Sequence, residues 1–375
     1  MSKSYTPGLK VLKYCNLTKD RLLPLNGKVH VKLDDKVKSD DIVASTEIPG
    51  NVQMINMVNK LNIDPNQVLD CMTAKIDDIV SKNQVIAQSK GIFGFFRTEV
   101  KSPIDGKIIN ISKVTGQVVI AEKPLPIQVD AYIPGTIKKV YNEEGVTVDS
   151  EGTFIQGILG IGREQKGIIK VLVDSPDVYI ESSMVTDDLK DKIIVCGSFI
   201  NYKFYNKAKE YGVKGIICGG IDYNSISKIL GYSLGVAITG TENITTLIIT
   251  EGFGEINMAA NTFNLLKQND GNKASINGAT QIRAGVLRPE IFIKSAEKDI
   301  KSKKFDENDL IISEGSYVRV IRDPYFGKIG KIVSLPFELV EMKSEAKVRV
   351  AEVEFDDKSK EIIPRANLEV IMLNE

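Results

Sequence analysis

Lys192-Ile-Ile-Val-Cys196 and Gly215-Ile-Ile-Cys218-Gly-Gly220 decide the fold class of this 375-residue chain. Both are short, wholly apolar runs of strand length, and the stretch between them, Tyr202 to Tyr211, has the spacing of a helix. Strand, helix and strand in that order predict a βαβ unit. The pattern continues with a helix through Ser225 to Leu230, a strand at Val236-Ala-Ile238, another at Thr246-Leu-Ile-Ile249 and a helix around Met258 to Leu266. Continuous apolar strands alternating with amphipathic helices predict a parallel sheet covered on both faces.

Ligands of parallel sheets bind where the strands end at their carboxyl side. Here those ends read Gly219-Gly220-Ile-Asp222, Thr239-Gly240-Thr-Glu242 and Thr250-Glu251-Gly252-Phe-Gly254-Glu255. Glycines allow close approach to the backbone, threonine hydroxyls donate, and Glu242 or Glu251 accepts from a ribose, an amine or an arginine of another subunit. The same residues also suit ordinary turns after buried strands, so a small-molecule site here is one expectation and plain loop chemistry the other. Arginine is scarce, which makes Arg283 and Arg288 in Gln281-Ile-Arg-Ala-Gly-Val-Leu-Arg288 a local concentration. A planar fork suits a carboxylate or an anionic ligand, so these two are expected to pair with Glu251 or Glu255, or to clamp a ligand.

Towards the N-terminus the period falls to that of strands. Asp35-Lys-Val-Lys-Ser-Asp-Asp-Ile-Val-Ala44 aligns with Asp78-Ile-Val-Ser-Lys-Asn-Gln-Val-Ile-Ala87, and each is expected to form one β-hairpin. Pro49-Gly50, Pro103-Ile-Asp-Gly106 and Pro134-Gly135 mark sharp corners before strands. Met54, Met57, Val58 and Leu61 predict one short helix over Val52 to Leu61. Gly157, Gly160 and Gly162 form a GxxGxG string, but an extended pattern rather than a helix follows, so a β-turn is expected and not a phosphate loop.

The stretches Gly27 to Ala44, Asp78 to Ala87 and Ser102-Pro-Ile-Asp-Gly106 resemble the barrel-sandwich hybrid of biotinyl and lipoyl carriers, in particular the N-terminal domain of the RnfC electron-transport subunits. Carriers of that fold modify a lysine within Met-Lys-Met or Asp-Lys-Ala. Lys75 and Lys90 stand nearest to the corresponding turns without either motif, so no cofactor is expected. The ferredoxin-type cysteine clusters of RnfC are also missing, which weakens an accessory role in a redox complex.

After the charged run Ser295 to Asp309 comes Gly315-Ser-Tyr-Val-Arg-Val-Ile-Arg-Asp-Pro-Tyr-Phe-Gly327-Lys-Ile-Gly330-Lys-Ile-Val333. With Ile363-Pro-Arg-Ala-Asn367 it resembles the KOW motif of NusG transcription factors and several ribosomal proteins, and the resemblance implies an SH3-like barrel that binds RNA or protein. Arg319, Arg322, Lys328 and Lys331, with Tyr325 and Phe326, are its candidate partner-binding residues. The segment 311–375 carries 10 Lys and Arg against 12 acids, which favours a protein over a phosphate backbone.

The expected architecture is therefore multidomain α+β. Residues 1–170 form a barrel-sandwich hybrid with a β-rich extension, 171–294 a central α/β domain, 295–310 a linker, and 311–375 a KOW-like barrel. Lys plus Arg and Asp plus Glu are both 49, so no global field gathers nucleic acid, and DNA is an unlikely partner. The single histidine, His30, removes histidine triads and histidine-cluster metal sites. Cys15, Cys71, Cys196 and Cys218 lack metal-ligand spacing and are expected as buried thiols. No apolar run reaches membrane-spanning length, and Met1 to Gly27 lacks a signal-peptide core, which predicts a cytoplasmic protein. The reading that gathers these features is a noncatalytic adaptor that docks on a large protein or ribonucleoprotein assembly, such as the transcription or translation machinery. A small-molecule-binding or enzymatic protein is the alternative.

Overall fold

The computed structural model describes residues 9–89, 97–232, 237–238, 244–281, 287–295, 312–320, 324–325, 328–342, 347–355 and 357–370. The chain is strand-rich and builds several sheets. Four parallel strands, Gln165–Val171, Ile193–Val195, Gly215–Ile221 and Thr246–Phe253, lie side by side in that order. Helices Tyr202–Glu210, Tyr223–Leu230 and Ala260–Gln268 accompany them. Ile193, Ile194, Val195, Ile216, Ile217, Ile248 and Ile249 are wholly buried in one core with Phe204, Tyr205, Ile226, Phe263 and Leu266. Burial on both faces is why these strands carry no polar alternation.

Local chemistry fixes the helix ends. The Asn201 side chain accepts from Phe204 N, and that of Asp222 accepts from Ser225 N, each closing a helix N-terminus. Gly231 ends the second helix at φ 77°, a conformation that costs glycine least. The buried Tyr205 hydroxyl donates to Thr245 O at 2.7 Å.

The parallel strands belong to a 12-stranded sheet that also takes in the β-rich extension. Gly145–Gln156 pairs antiparallel with Glu290–Lys294, and Gln165–Val171 with Lys273–Asn277. The position 170 expected to separate two domains is thus crossed by one continuous hydrogen-bonded ladder. Leu159–Ile161, in the glycine string, is a short strand antiparallel to Thr246–Phe253, and no helix opens after it.

The two N-terminal repeats are not hairpins, contrary to expectation. Lys36–Val37 pairs with Gly135–Tyr141, while Ile42–Ile48 pairs with Leu125–Asp130. In the second copy Ile79–Val80 pairs with Gly106–Ile111, and Val85–Gln88 with Glu99–Lys101. Side chains close the turns, Asp41 accepting from Lys38 N and Gln84 from Ser81 N, which leaves the strand backbones to pair elsewhere. The copies match in detail. Asp34 and Asp77 have φ of 67° and 76°, and their amides donate to Ile137 O and Ile108 O at 2.9 and 2.8 Å. At Gly106 and Gly135 a Cβ would collide with the carbonyls of Ala121 and Asp149, so the corner needs glycine.

The expected helix over Val52 to Leu61 is halved. Val52–Asn56 is a strand against Gln117–Ala121, and only Met57–Leu61 is helical, begun by the Asn56 side chain accepting from Asn59 N. Met54 stays 69% exposed because it lies on the strand's outer face. Ile55, Met57, Val80, Ile86, Ile108, Val118 and Ile120 form this lobe's own core, separate from the cluster of Leu12, Val43, Tyr132, Ile137, Phe154 and Phe292.

The C-terminal sheet contains six strands among the described residues, in the order Leu339–Glu341, Lys347–Phe355, Ile329–Ser334, Tyr317–Val320, Leu368–Val370, with Lys360–Pro364 also on Lys347–Phe355. All its pairings are antiparallel. Val318, Val320, Ile332, Val353, Ile363 and Leu368 fill its core. The four cysteines are buried thiols, and no helix among the described residues is long and apolar enough to cross a membrane.

Candidate functional site

At Gly219 and Gly220, one of the strand ends predicted to hold a ligand, the protein's own backbone approaches closely. Gly219 and Gly220 are buried, and a Cβ on either would strike the backbone carbonyls of Ile256 or Gly254. Gly254 N donates to Ile221 O at 3.0 Å, and Met258 N to Gly197 O at 2.7 Å, holding residues 254–258 across the crevice. Thr250 Oγ1 donates to Cys218 O at 3.2 Å instead of facing outward. Gly252 adopts φ 138° with nothing near its Cα face. Gly219 and Gly220 therefore allow close approach of the protein's own backbone, and the Thr250 hydroxyl is engaged within the sheet. Thr239, Gly240, Glu242 and Arg283 lie outside the described residues.

Glu251 meets a partner that the sequence reading placed elsewhere. Its Oε2 accepts from Arg319 Nη1 at 2.9 Å, and its Oε1 from Ala259 N at 2.9 Å. Arg319 Nη2 donates to Glu369 Oε2 at 2.7 Å, and Glu369 Oε1 accepts from Leu9 N at 2.7 Å. The side chains of Arg319, Glu251 and Glu369 are 5%, 1% and 8% exposed. Burial works against the Arg319 charge, but Glu251 and Glu369 outweigh it and raise its pKa, so the guanidinium stays protonated.

Arg288 approaches the same cluster. Its Nη1 lies 3.4 Å from Ile158 O, and burial lowers its pKa while Glu369 opposes the shift. Arg288 Nε and Arg319 Nε are buried without a hydrogen-bond partner. Arg319 thus bridges two glutamates in a buried knot where the C-terminal module meets the central sheet, with Arg288 near enough for Glu369 to act on its charge. Arg319, buried in this pairing, is withdrawn from any RNA phosphate, and the hydrogen bonds Glu251 accepts among the described residues come from Arg319 and Ala259 rather than from Arg288. The sequence reading missed Glu369. Its signal was a carboxylate between Leu368 and Val370 in an apolar strand, a setting in which a charge is rarely buried unless paired.

The remaining partner-binding candidates divide. The Tyr325 ring lies 5.6 Å from that of Phe355, and a hydrogen bond with Glu361 raises its phenol pKa. Lys328 Nζ stands 5.1 Å from the Phe355 ring centre and 3.9 Å from Asp357 Oδ2. Lys331 lies over Tyr317 at 5.7 Å and opposite Glu354 in the ladder. Arg322 and Phe326 lie outside the described residues. A more prominent feature was overlooked: Phe337 is 88% and Leu339 57% exposed, and the Arg349 guanidinium stands 5.9 Å from the Phe337 ring. Leu339 pairs directly opposite Arg349.

Among the described residues no group of three His, Cys, Asp or Glu side chains is placed to hold a metal ion. Lys75 N donates to Asp78 Oδ2 at 2.7 Å within an exposed turn, and Lys90 lies outside the described residues. No protein-family model matches the chain, and no curated protein matches its sequence.

Proposed function

We propose that the chain is a noncatalytic adaptor that docks on a protein component of a large assembly through its C-terminal module. The observation that carries this reading is the cluster at one edge of that module of Phe337, before the edge strand, Leu339 on it and Arg349 opposite Leu339 on the neighbouring strand. Exposed apolar area such as the Phe337 ring and Leu339 is left unburied at a cost, and aromatic and arginine side chains are the types that dominate binding hot spots. The resemblance of Gly315 to Val333 to the KOW motif supports the same placement, as does the resemblance of the N-terminal repeats to an unmodified barrel-sandwich hybrid of the RnfC type.

Protein is favoured over RNA by the pairing of the module's lysines. Lys328 is near Asp357, Lys360 is 3.7 Å from Glu354, and Lys331 opposes Glu354. Cations already facing carboxylates release few counterions on meeting phosphate. The Arg319 knot supplies what an adaptor needs from its joint, since a fixed module transmits its position to the rest of the chain.

The test is purification of the full-length protein from its native cell, wild type beside Phe337→Asp, with mass spectrometry of bound proteins and extraction of bound RNA. One protein assembly present at near-stoichiometric level with wild type and lost with the variant is the expected result. Equal recovery from both, or recovery of RNA alone, contradicts the reading.

A further inference from the structure

Strands Phe199–Ile200, Gly215–Ile221 and Thr246–Phe253 end side by side, with Ile200 opposite Ile221 and Ile221 opposite Phe253, about 4.8 Å from strand to strand. Three strands therefore leave the sheet together. After the first two, Asn201 and Asp222 cap helices, and each cap is followed at once by a tyrosine, Tyr202 and Tyr223. Phe253 closes the third strand itself. Tyr202 N donates to Ser225 Oγ at 3.0 Å, which ties the two helix starts together, and the ring centres of Tyr223 and Phe253 are 6.0 Å apart with their planes at 53°. Tyr179 extends the row, its hydroxyl accepting from Asn201 Nδ2 at 3.4 Å.

The four rings are 38–55% exposed, although Ile200 and Ile221 just before them are buried. Aromatic area left in water along one face marks an interaction surface. Its rim is acidic, since within two residues of the rings the charges that are not buried are Asp177, Glu181, Asp222 and Glu255 against Lys203. Asp222 is engaged by its helix, accepting from Ser225 N at 2.8 Å, but among the described residues no cation pairs with Asp177, Glu181 or Glu255. That rim decides the partner. The phosphates of a nucleic acid or an acidic lipid would meet like charge, which costs affinity. A guanidinium suits both features, because its plane stacks on an aromatic face while its N–H fork pairs with a carboxylate, whereas the ammonium of lysine has no plane to stack. Glu255 follows Phe253 by two residues and Glu181 follows Tyr179 by two, so each end of the row offers a ring and a carboxylate.

We propose that this aromatic row binds an arginine-rich segment of a partner protein, one guanidinium stacking on Phe253 and Tyr223 beside Glu255 and another on Tyr179 beside Glu181. Stacking selects arginine over lysine, and the carboxylates select cation over anion. The proposal does not rest on the docking face at Phe337, which lies on the C-terminal module.

The test uses the full-length protein and hexaarginine as the probe in titration calorimetry, with hexalysine as the charge-matched control. Saturable binding of one hexaarginine per chain is expected, with hexalysine at least about threefold weaker. Phe253 is half exposed, so Phe253→Ser, checked for an unchanged circular dichroism spectrum, removes the stacking, and affinity should fall about threefold or more. Glu255 is exposed, and Glu255→Lys should weaken hexaarginine about fivefold or more, while the same reversal at exposed Glu47 on the N-terminal lobe should leave it unchanged. Absence of hexaarginine binding, equal binding of hexalysine, unchanged affinity in Phe253→Ser or Glu255→Lys, or an equal loss in Glu47→Lys overturns the proposal.

Discussion

Arg319 Nη1 stands 2.9 Å from Glu251 Oε2, joining two residues 68 positions apart. One belongs to the first described strand of the C-terminal module and the other to the end of a parallel strand of the central sheet. Neither side chain is more than 5% exposed, so the pair has exchanged water for its partners. Such an exchange roughly breaks even while the network is complete and becomes costly once a member is removed.

Arg319→Met is therefore expected to destabilise the protein by about 3–5 kcal/mol, because Glu251 and Glu369 lose their common donor. The loss should shrink when Glu251→Gln is combined with it, since the two substitutions disrupt the same network. Urea unfolding of the single and double variants measures both. An unchanged midpoint in Arg319→Met would show that the knot holds nothing.

Gly219→Ala places a methyl group against the carbonyl of Ile256, which is backbone and yields poorly. A loss of about 1–3 kcal/mol is expected in the same assay, the usual range for overpacking. A neutral effect would mean that residues 254–258 move aside readily and that the strand ends are open to a ligand after all.

The Cys15 thiol is raised by burial to about 11 in the fold, against a reference of 9.0. A folded value above the unfolded one gives stability that is complete below the unfolded pKa and lost as pH rises through the folded one. Wild type should therefore lose roughly 2–3 kcal/mol more than Cys15→Ala between about pH 9 and pH 11, two units at 1.36 kcal/mol each. Burial raises Cys196 and Cys218 too, and comparison with the variant removes their shared contribution. Parallel stability curves for the two proteins would contradict the assignment.

The parallel core was legible because Ile193 to Cys196 and Gly215 to Cys218 are apolar without interruption, the pattern of strands covered on both faces. The repeat of Asp35 to Ala44 in Asp78 to Ala87 was legible as a repeat, but not as strands that pair elsewhere. Two-residue strands such as Lys36–Val37 carry too little pattern to specify a partner. Glu251 was found as a site residue and Arg319 as another, yet their meeting depends on how two modules pack, which no local spacing encodes. Val318 and Val320 around Arg319 mark a charge in an apolar strand, as Leu368 and Val370 do around Glu369. Phe337 was overlooked because one aromatic residue between strands looks the same whether it folds inward or faces water.

The docking face is tested most directly by a photo-crosslinking amino acid placed at Phe337 in the full-length protein and irradiated in its native cell. Val114, 85% exposed on the N-terminal lobe, is the control position. One discrete protein adduct from position 337 and none from position 114 is the predicted result. Adducts to RNA, adducts equal at both positions, or no adduct at position 337 would contradict docking through this face.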